Sequence, residues 1–292
     1  RDDLRHGALR FAAAAGTFLA EVDSGVPALT DLPALLDLAA RAGRDTADLP
    51  DLQRLIRVGS SLGGARPKAH VRTEDGKIAI AKFPSADHDT WNVMAWEKVA
   101  LDLAAAGGID VPPSRLLNLA GRHVLVVDRF DRTTTGGRIG YVSAMTMLEA
   151  RDGDQRTYVE IAEVIENHSR RATQELHELW RRVVFSVLIS NTDDHLRNHG
   201  FLHVRNDSWR LSPAFDLNPN PTPGPRFSST AISNADDQAT LDHARSVADY
   251  FRLHPDGAEA VIRKVAGAVS NWRSVAARLL WHHYLASRGR SA

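Results

Sequence analysis

The 292-residue chain contains no cysteine. That excludes disulfides, Cys-ligated zinc and thiol nucleophiles, and it is compatible with a cytoplasmic protein without proving that location. Net charge is also missing. The 36 basic and 36 acidic side chains cancel, so no global field draws the chain to nucleic acid or an anionic membrane, and any such contact must be local. Long apolar runs are absent too. Near the N-terminus the longest, Phe11 to Ala15, is far too short for a membrane span, and no secretion signal precedes it. No internal repeat or long low-complexity tract is evident. The first residue is Arg1 rather than Met, which suggests a processed or truncated chain with an upstream segment missing.

What is present is a hydrophobic content of 43%, enough to bury a substantial core in one large domain or in two lobes. Leu32, Leu35, Leu36 and Leu38 to Ala40 recur near helical spacing after a possible N-cap at Thr30 or Asp31, with Pro33 in the first turn. The Gly-rich segment GSSLGGARPK (59 to 68) then leads into two short alternating runs, AHVRT and KIAIAKF, separated by Glu74, Asp75 and Gly76. This pattern predicts a glycine loop feeding a β-hairpin. A helical pattern spans Thr90 to Ala106, a short strand spans Arg122 to Phe130, and a polar loop follows at Thr133 to Arg138. Beyond it the chain reads as chiefly helical. Its clearest helix runs from Leu176 to Ile189, where Leu176, Leu179, Trp180, Val183, Val184, Val187 and Leu188 form one apolar stripe. GFLHV and SWRLS then flank a turn at Arg205 to Asp207, and the proline-rich PAFDLNPNPTPGP excludes regular structure.

Between that helix and the second hairpin lies ISNTDDHLRNHGFL (189 to 202), which crowds ionisable and metal-friendly groups into one turn. Asp193 and Asn198 are five positions apart, and Asp216 follows just past the hairpin. The first is the spacing between the base and the metal-ligand asparagine of a protein-kinase catalytic loop, and the second is where a kinase places its metal-binding aspartate. Phosphoryl transfer wants these types: one carboxylate orients the attacking hydroxyl and takes its proton, while an amide oxygen and a second carboxylate suit the hard cation Mg²⁺. Lys82, in a chain poor in lysine, ends the alternating strand after the glycine loop, where a kinase places the lysine that holds nucleotide phosphates. Gly63 and Gly64 would let backbone N–H groups approach phosphate oxygens. On their own they are weak evidence, because GSSLGGARPK matches neither standard phosphate-loop pattern.

SSLGGARPK, IAKFPS, VVDRFDR, LISNTDDHLRNHGF and LSPAFDLNP together resemble the HipA-like serine/threonine kinases, the toxin component of bacterial toxin–antitoxin pairs; the match runs in order from about Leu4 to Trp272. The resemblance implies an α+β, two-lobed protein-kinase-like fold. A mixed N-terminal lobe with a β-sheet would span 1–132 and a mainly helical catalytic lobe 133–292. It implies ATP and Mg²⁺ as cofactors, Asp193 as the catalytic aspartate, and Asn198 and Asp216 as metal ligands. Nucleotide contacts would come from Gly63, Gly64, Ala65, Lys68, Lys82, Asp128, Phe130 and His195. Ser61 would be the autophosphorylated serine, with Ser60 beside it an alternative. Known family targets include an aminoacyl-tRNA synthetase, and a small DNA-binding antitoxin of the HipB type holds the toxin. Full-length relatives carry a further small N-terminal domain, here absent, separately encoded or removed. The C-terminal RLLWHHYLASRGRSA fits the pattern poorly.

Plainer readings compete with these. Asp193, Asp194 and Asn198 suit a solvated turn, and Lys82 could be a strand-end lysine in water. His195 and His199 have zinc-like i, i+4 spacing, but no glutamate lies between them and no third ligand is evident, which favours core or loop histidines bonded to backbone. The register of Asp193, Asn198 and Asp216 with Lys82 favours the kinase reading. It leaves Asp194 and His199 as ordinary loop residues, His195 and Arg197 as loop-shaping ones, and Arg181 and Arg182 as solvated helix faces. Two other functions remain open: a catalytically silent subunit that acts with a DNA-binding antitoxin in operon autoregulation, and a metal-dependent hydrolase using Asp193, Asp194, His195 and His199.

Overall fold

A computed structural model describes residues 4–14, 16–19, 25–59, 66–85, 89–222, 224–235 and 238–288, leaving aside the side chains of 57–58 and 281–288. The chain divides into two compact units. The first comprises Arg1–Lys98, Pro113–Ile139 and Leu280–Ala292; the second comprises Val99–Pro112 and Gly140–Leu279.

The first unit opens with a small hairpin, β1 (Ala12–Ala14) and β2 (Thr17–Phe18), followed by α1 (Leu32–Gly43) and α2 (Leu49–Gly59). Pro33 lies in the first turn of α1, where its missing N–H costs nothing. Strands β3 (Lys68–Arg72) and β4 (Ile78–Lys82) form the expected hairpin, turned at Gly76 with φ +81°. Helix α3 (Val93–Gly107) follows, its residues divided between the units after Lys98. Strand β5 (Ser114–Leu119), which sequence reading missed, and β6 (Arg122–Asp128) complete an antiparallel sheet of order β3-β4-β6-β5.

Alternation along these strands decides what faces the core. Ala69, Val71, Ala79, Ala81, Val124 and Val126 pack against Leu32, Leu35, Leu36 and Ala39 of α1. The opposite face of β4 carries Ile78, Ile80 and Lys82, which are half-buried.

The second unit contains β7 (Tyr141–Ser143), α4 (Ala144–Met147), α5 (Tyr158–His168) and α6 (Ala172–Ile189). After them come β8 (Gly200–His203), β9 (Trp209–Leu211), α7 (Leu241–Ser246), α8 (Pro255–Ser270) and α9 (Trp272–Arg288). β7 pairs with β8, so the hairpin foreseen as two strands is a three-stranded sheet, β7-β8-β9. Helix α5 starts on a capping box: the Thr157 side chain accepts from Glu160 N while Glu160 accepts from Thr157 N at 2.7 Å. Helix α6 buries Leu176, Leu179, Trp180, Val183, Val184 and Phe185, with Val187 and Leu188 only half-buried. The stripe also contains polar residues. Arg182 and Ser186 follow Leu179 at helical spacing and are 3% and 4% exposed, so Arg182 is not a solvated face residue. No helix among the described residues is long and apolar enough to cross a membrane.

Candidate functional site

In the first unit the hairpin register places Lys68 directly opposite Lys82, so both side chains leave the same face of the sheet. Two like charges there need compensation. Glu97 on α3 supplies it for Lys82, with its carboxylate 2.5 Å from Nζ and side-chain exposures of only 3% and 12%. A pair this dry is a fixed structural element and not a surface salt bridge. A strand lysine held by a buried helix glutamate is how phosphoryl-transfer enzymes fix a cation for nucleotide phosphates. Sequence reading found Lys82 and missed Glu97. A signal existed: Glu97 lies between Met94 and Leu101 at helical spacing, a charge on a stripe that is otherwise buried and apolar.

Asp128 ends β6 opposite Ala79, and Lys82 pairs with Leu125. By alternation the Asp128 side chain leaves the face opposite to that of Lys82. Its backbone N–H donates to Pro113 O at 2.9 Å. Beyond it, half-buried Phe130 is flanked by buried Arg129 and Asp131. Arg129 donates to both Asp131 oxygens, at 2.8 and 2.7 Å, and to the carbonyls of Leu4 and Arg5, while Gly7 N donates to Asp131 at 2.7 Å. Arg132 donates to the carbonyls of Arg5 and Gly7 as well, so three residues of VVDRFDR staple residues 4–7 to the unit. Burial pushes the Arg132 guanidinium down to about 10, and the Arg129 charge adds to this. Ser60, Ser61, Gly63, Gly64 and Ala65 lie outside the described residues.

In the second unit α6 ends at Ser190, held left-handed at φ +57°. Asn191 N donates back to Ser186 O at 2.9 Å, the closure that commonly accompanies such a helix end. The chain then turns through Asp193. Its backbone oxygen accepts from His195 N at 3.0 Å and from Asn198 Nδ2 at 3.1 Å. Asn198 is 6% exposed. With Nδ2 committed to the loop, its Oδ1 carries no hydrogen bond among the described residues and suits a hard cation. Asp193 is exposed, and its carboxylate also has no hydrogen bond among the described residues. Half-buried His195 precedes a short 3-10 turn, and its Nδ1 is buried without a hydrogen-bond partner among the described residues. Arg197 is exposed and pairs with Asp152 at 2.6 Å.

Asp194 and His199 are not ordinary loop residues, and His199 contacts a carboxylate where a backbone partner was expected. Both are 3% exposed. The Asp194 carboxylate accepts from Tyr158 Oη of α5 and, at 2.9 Å, from Ser186 Oγ of α6. His199 Nε2 lies 3.0 Å from the other carboxylate oxygen, an ion-pair distance but outside hydrogen-bond alignment. Burial pushes the Asp194 carboxyl up. The His199 ring and the hydrogen bonds from Tyr158 and Ser186 outweigh it, and the group ends below the usual carboxylate range. Burial and the Asp194 charge raise the Tyr158 hydroxyl well above its ordinary value. At position 200 a Cβ would run into the Tyr141 ring, which would have to move to admit any other residue.

Helix α6 also holds the chain approaching Asp216. Arg182 Nη2 donates to Ser212 O at 2.8 Å, and Glu175 accepts from Leu211 N at 2.9 Å. Ser212 N donates to Gly200 O at 2.8 Å, which brings the segments after Asn198 and before Asp216 to one end of the hairpin. Asp216 is left-handed at φ +59°, a conformation that aspartate and asparagine adopt more readily than other non-glycine residues. Asn218 Nδ2 donates to its backbone oxygen at 3.2 Å. Asn198 and Asp216 thus offer oxygen donors of the type Mg²⁺ takes. No group of three or more His, Asp or Glu side chains among the described residues is placed to hold a metal ion, so the histidine-based hydrolase lacks a built site.

Comparison with known proteins adds an independent line. Residues 60–272 match the family described as HipA-like C-terminal domain. A Haemophilus influenzae protein described as "Putative kinase" is 29% identical over 124 residues, covering 38% of this chain and 36% of that protein. A Sinorhizobium fredii protein described as "Putative kinase Y4dM" is 27% identical over 181 residues, covering 57% and 41%. The matches therefore span well under half the length of these relatives. Among solved structures, a chain in the complex of the Shewanella oneidensis toxin–antitoxin system HipA, HipB and operator DNA superposes with a TM-score of 0.60 at 18% identity, covering 76% of this chain and 58% of that one. The expected α+β, kinase-like HipA fold is the observed fold.

Proposed function

The chain belongs to the HipA-like C-terminal domain family, and from that premise we propose that it is an ATP- and Mg²⁺-dependent serine/threonine protein kinase. The observation that carries this reading is the loop in which Asn198 Nδ2 is spent on the Asp193 backbone while the Asp193 carboxylate stands exposed. Asp193 would orient the attacking hydroxyl and take its proton at a carboxylate oxygen. Asn198 and Asp216 would hold Mg²⁺, which supplies charge neutralisation for the phosphates. Lys82, kept in place by Glu97, would bind the nucleotide phosphates, with Lys68 on the same strand face. The adenine would rest on the backbone after Asp128 and on Phe130, since the Asp128 side chain leaves the other face. His195 would help shape the nucleotide side of the loop, with Gly63, Gly64 and Ala65 completing the phosphate contacts.

The phosphoacceptor would be a protein, with an aminoacyl-tRNA synthetase as one candidate, and the chain would autophosphorylate on Ser61 or Ser60. The solved HipA structure is a complex with HipB and operator DNA. That supports a DNA-binding antitoxin as partner here, with DNA reached through it and a cytoplasmic setting. Incubation with labelled ATP should phosphorylate the wild-type protein, and Asp193→Asn should cut the rate by about 10²- to 10⁴-fold. Label that persists undiminished in the variant would refute the assignment. Wild-type protein that binds no Mg·ATP in titration calorimetry would favour the silent subunit instead.

A further inference from the structure

Asp194 stands next to the proposed base, yet its chemistry plays no part in the reading above. It is tethered from three directions, with one carboxylate facing α5 through Tyr158, α6 through Ser186 and the residue before β8 through His199. We infer that Asp194 is a positioning residue that sets the direction of the Asp193 carboxylate; this rests on the reading of Asp193 as base. Nothing among the described residues grips that carboxylate itself. What is gripped is its backbone, through the carbonyl shared by His195 N and Asn198 Nδ2. The peptide joining residues 193 and 194 is planar, so anchoring Asp194 fixes one end of the plane that carries that carbonyl and the Cα bearing the base, and the bonds to the carbonyl hold the other.

The chemistry of the clamp explains why an acidic residue occupies the position. The hydroxyls of Tyr158 and Ser186 both donate to Oδ2, and the His199 ring faces Oδ1. A carboxylate accepts from all sides, whereas alanine would leave two buried hydroxyls without an acceptor. Asparagine keeps an oxygen for the hydroxyls and turns an amide toward the ring, so it preserves the geometry without the charge. Positioning therefore predicts that asparagine rescues what alanine loses.

The test compares kcat for phosphoryl transfer with Mg·ATP affinity by calorimetry, using the full chain. Asp194→Ala should lower kcat about 100-fold, the cost of misplacing a reacting group by about 1 Å, while the dissociation constant for Mg·ATP stays within about twofold. Asp194→Asn should recover to within about fivefold of wild type. Thr240→Ala, which removes the α7 cap elsewhere in the same unit, should lower the melting temperature and leave kcat unchanged.

If Asp194→Ala does not fold, the double variant Tyr158→Phe with Ser186→Ala takes its place and should lower kcat at least about fivefold at unchanged affinity. Folded variants with wild-type kcat would overturn the inference. So would an asparagine variant as impaired as alanine, or a kcat loss matched by a loss of ATP affinity. Failure of the base assignment shows separately, as wild-type protein without Mg·ATP-dependent transfer, and it removes this inference with it.

Discussion

In the first unit Lys82 leaves a regular hairpin and meets its partner Glu97 on one neighbouring helix, whereas in the second unit the loop carrying Asp193 is held by side chains from α5, α6 and His199, the residue before β8. The difference follows from the backbone each group stands on. A strand fixes its side chains by ladder hydrogen bonds, so Lys82 needs only charge compensation. A loop has no ladder, and its backbone must be pinned from outside. Here the pins are polar groups set into the apolar face of α6: Ser186 to Asp194, Arg182 to Ser212 O, and Glu175 to Leu211 N. Placing polar residues on a buried stripe is costly unless all are satisfied, which these three are.

This contrast can be broken from either side. The largest effect should come from Glu97→Ala, which removes a buried carboxylate from beside the Lys82 ammonium in a site only 12% exposed; urea unfolding should show a loss of about 3–5 kcal/mol, and Mg·ATP affinity should fall with it. Arg182→Ala should cost about 2–3 kcal/mol, because the Ser212 carbonyl and the Glu178 carboxylate lose a charged donor.

Acid should weaken the clamp of the second unit. The Asp194 carboxyl sits below its usual range when folded, so its contribution to stability is complete above the ordinary carboxylate pKa and disappears as pH falls through the lower folded value. Over that window the stability of the wild type should drop by up to about 1.4 kcal/mol per pH unit for this one group. Asp194→Asn should flatten the slope in urea melts recorded from pH 7 downward. The smallest effect should come from Arg197→Ala. Its partner Asp152 is 80% exposed, and the change in stability should stay within about 0.5 kcal/mol.

The hairpin of Lys68 and Lys82, the α6 stripe, and the spacing of Asp193, Asn198 and Asp216 were legible because each is a local pattern: period two, period 3.6, or a count along one loop. Strands β5 and β7 were not. Half-buried edge strands such as SRLLNL and YVS alternate too weakly to stand out from loop. Glu97, Arg182 and Ser186 were legible in principle, as polar residues in register with apolar ones, but only the fold names their partners. Asp194 carried no local sign. Its neighbour Asp193 has the same side chain and the opposite environment, exposed where Asp194 is buried.

By itself, then, the order of residues indicated the main helices and hairpins, the family it resembles, and which side chains have the chemistry for phosphoryl transfer. Local backbone periodicity suffices for the elements and short-range spacing for the candidate side chains, while the resemblance rests on the motifs taken together. Which of two adjacent aspartates faces solvent and which becomes an anchor was decided only in tertiary structure. Tyr158 lies 36 residues before Asp194 and Ser186 lies 8 before it, and no pattern in the chain brings their hydroxyls to one carboxylate until helices α5 and α6 pack together.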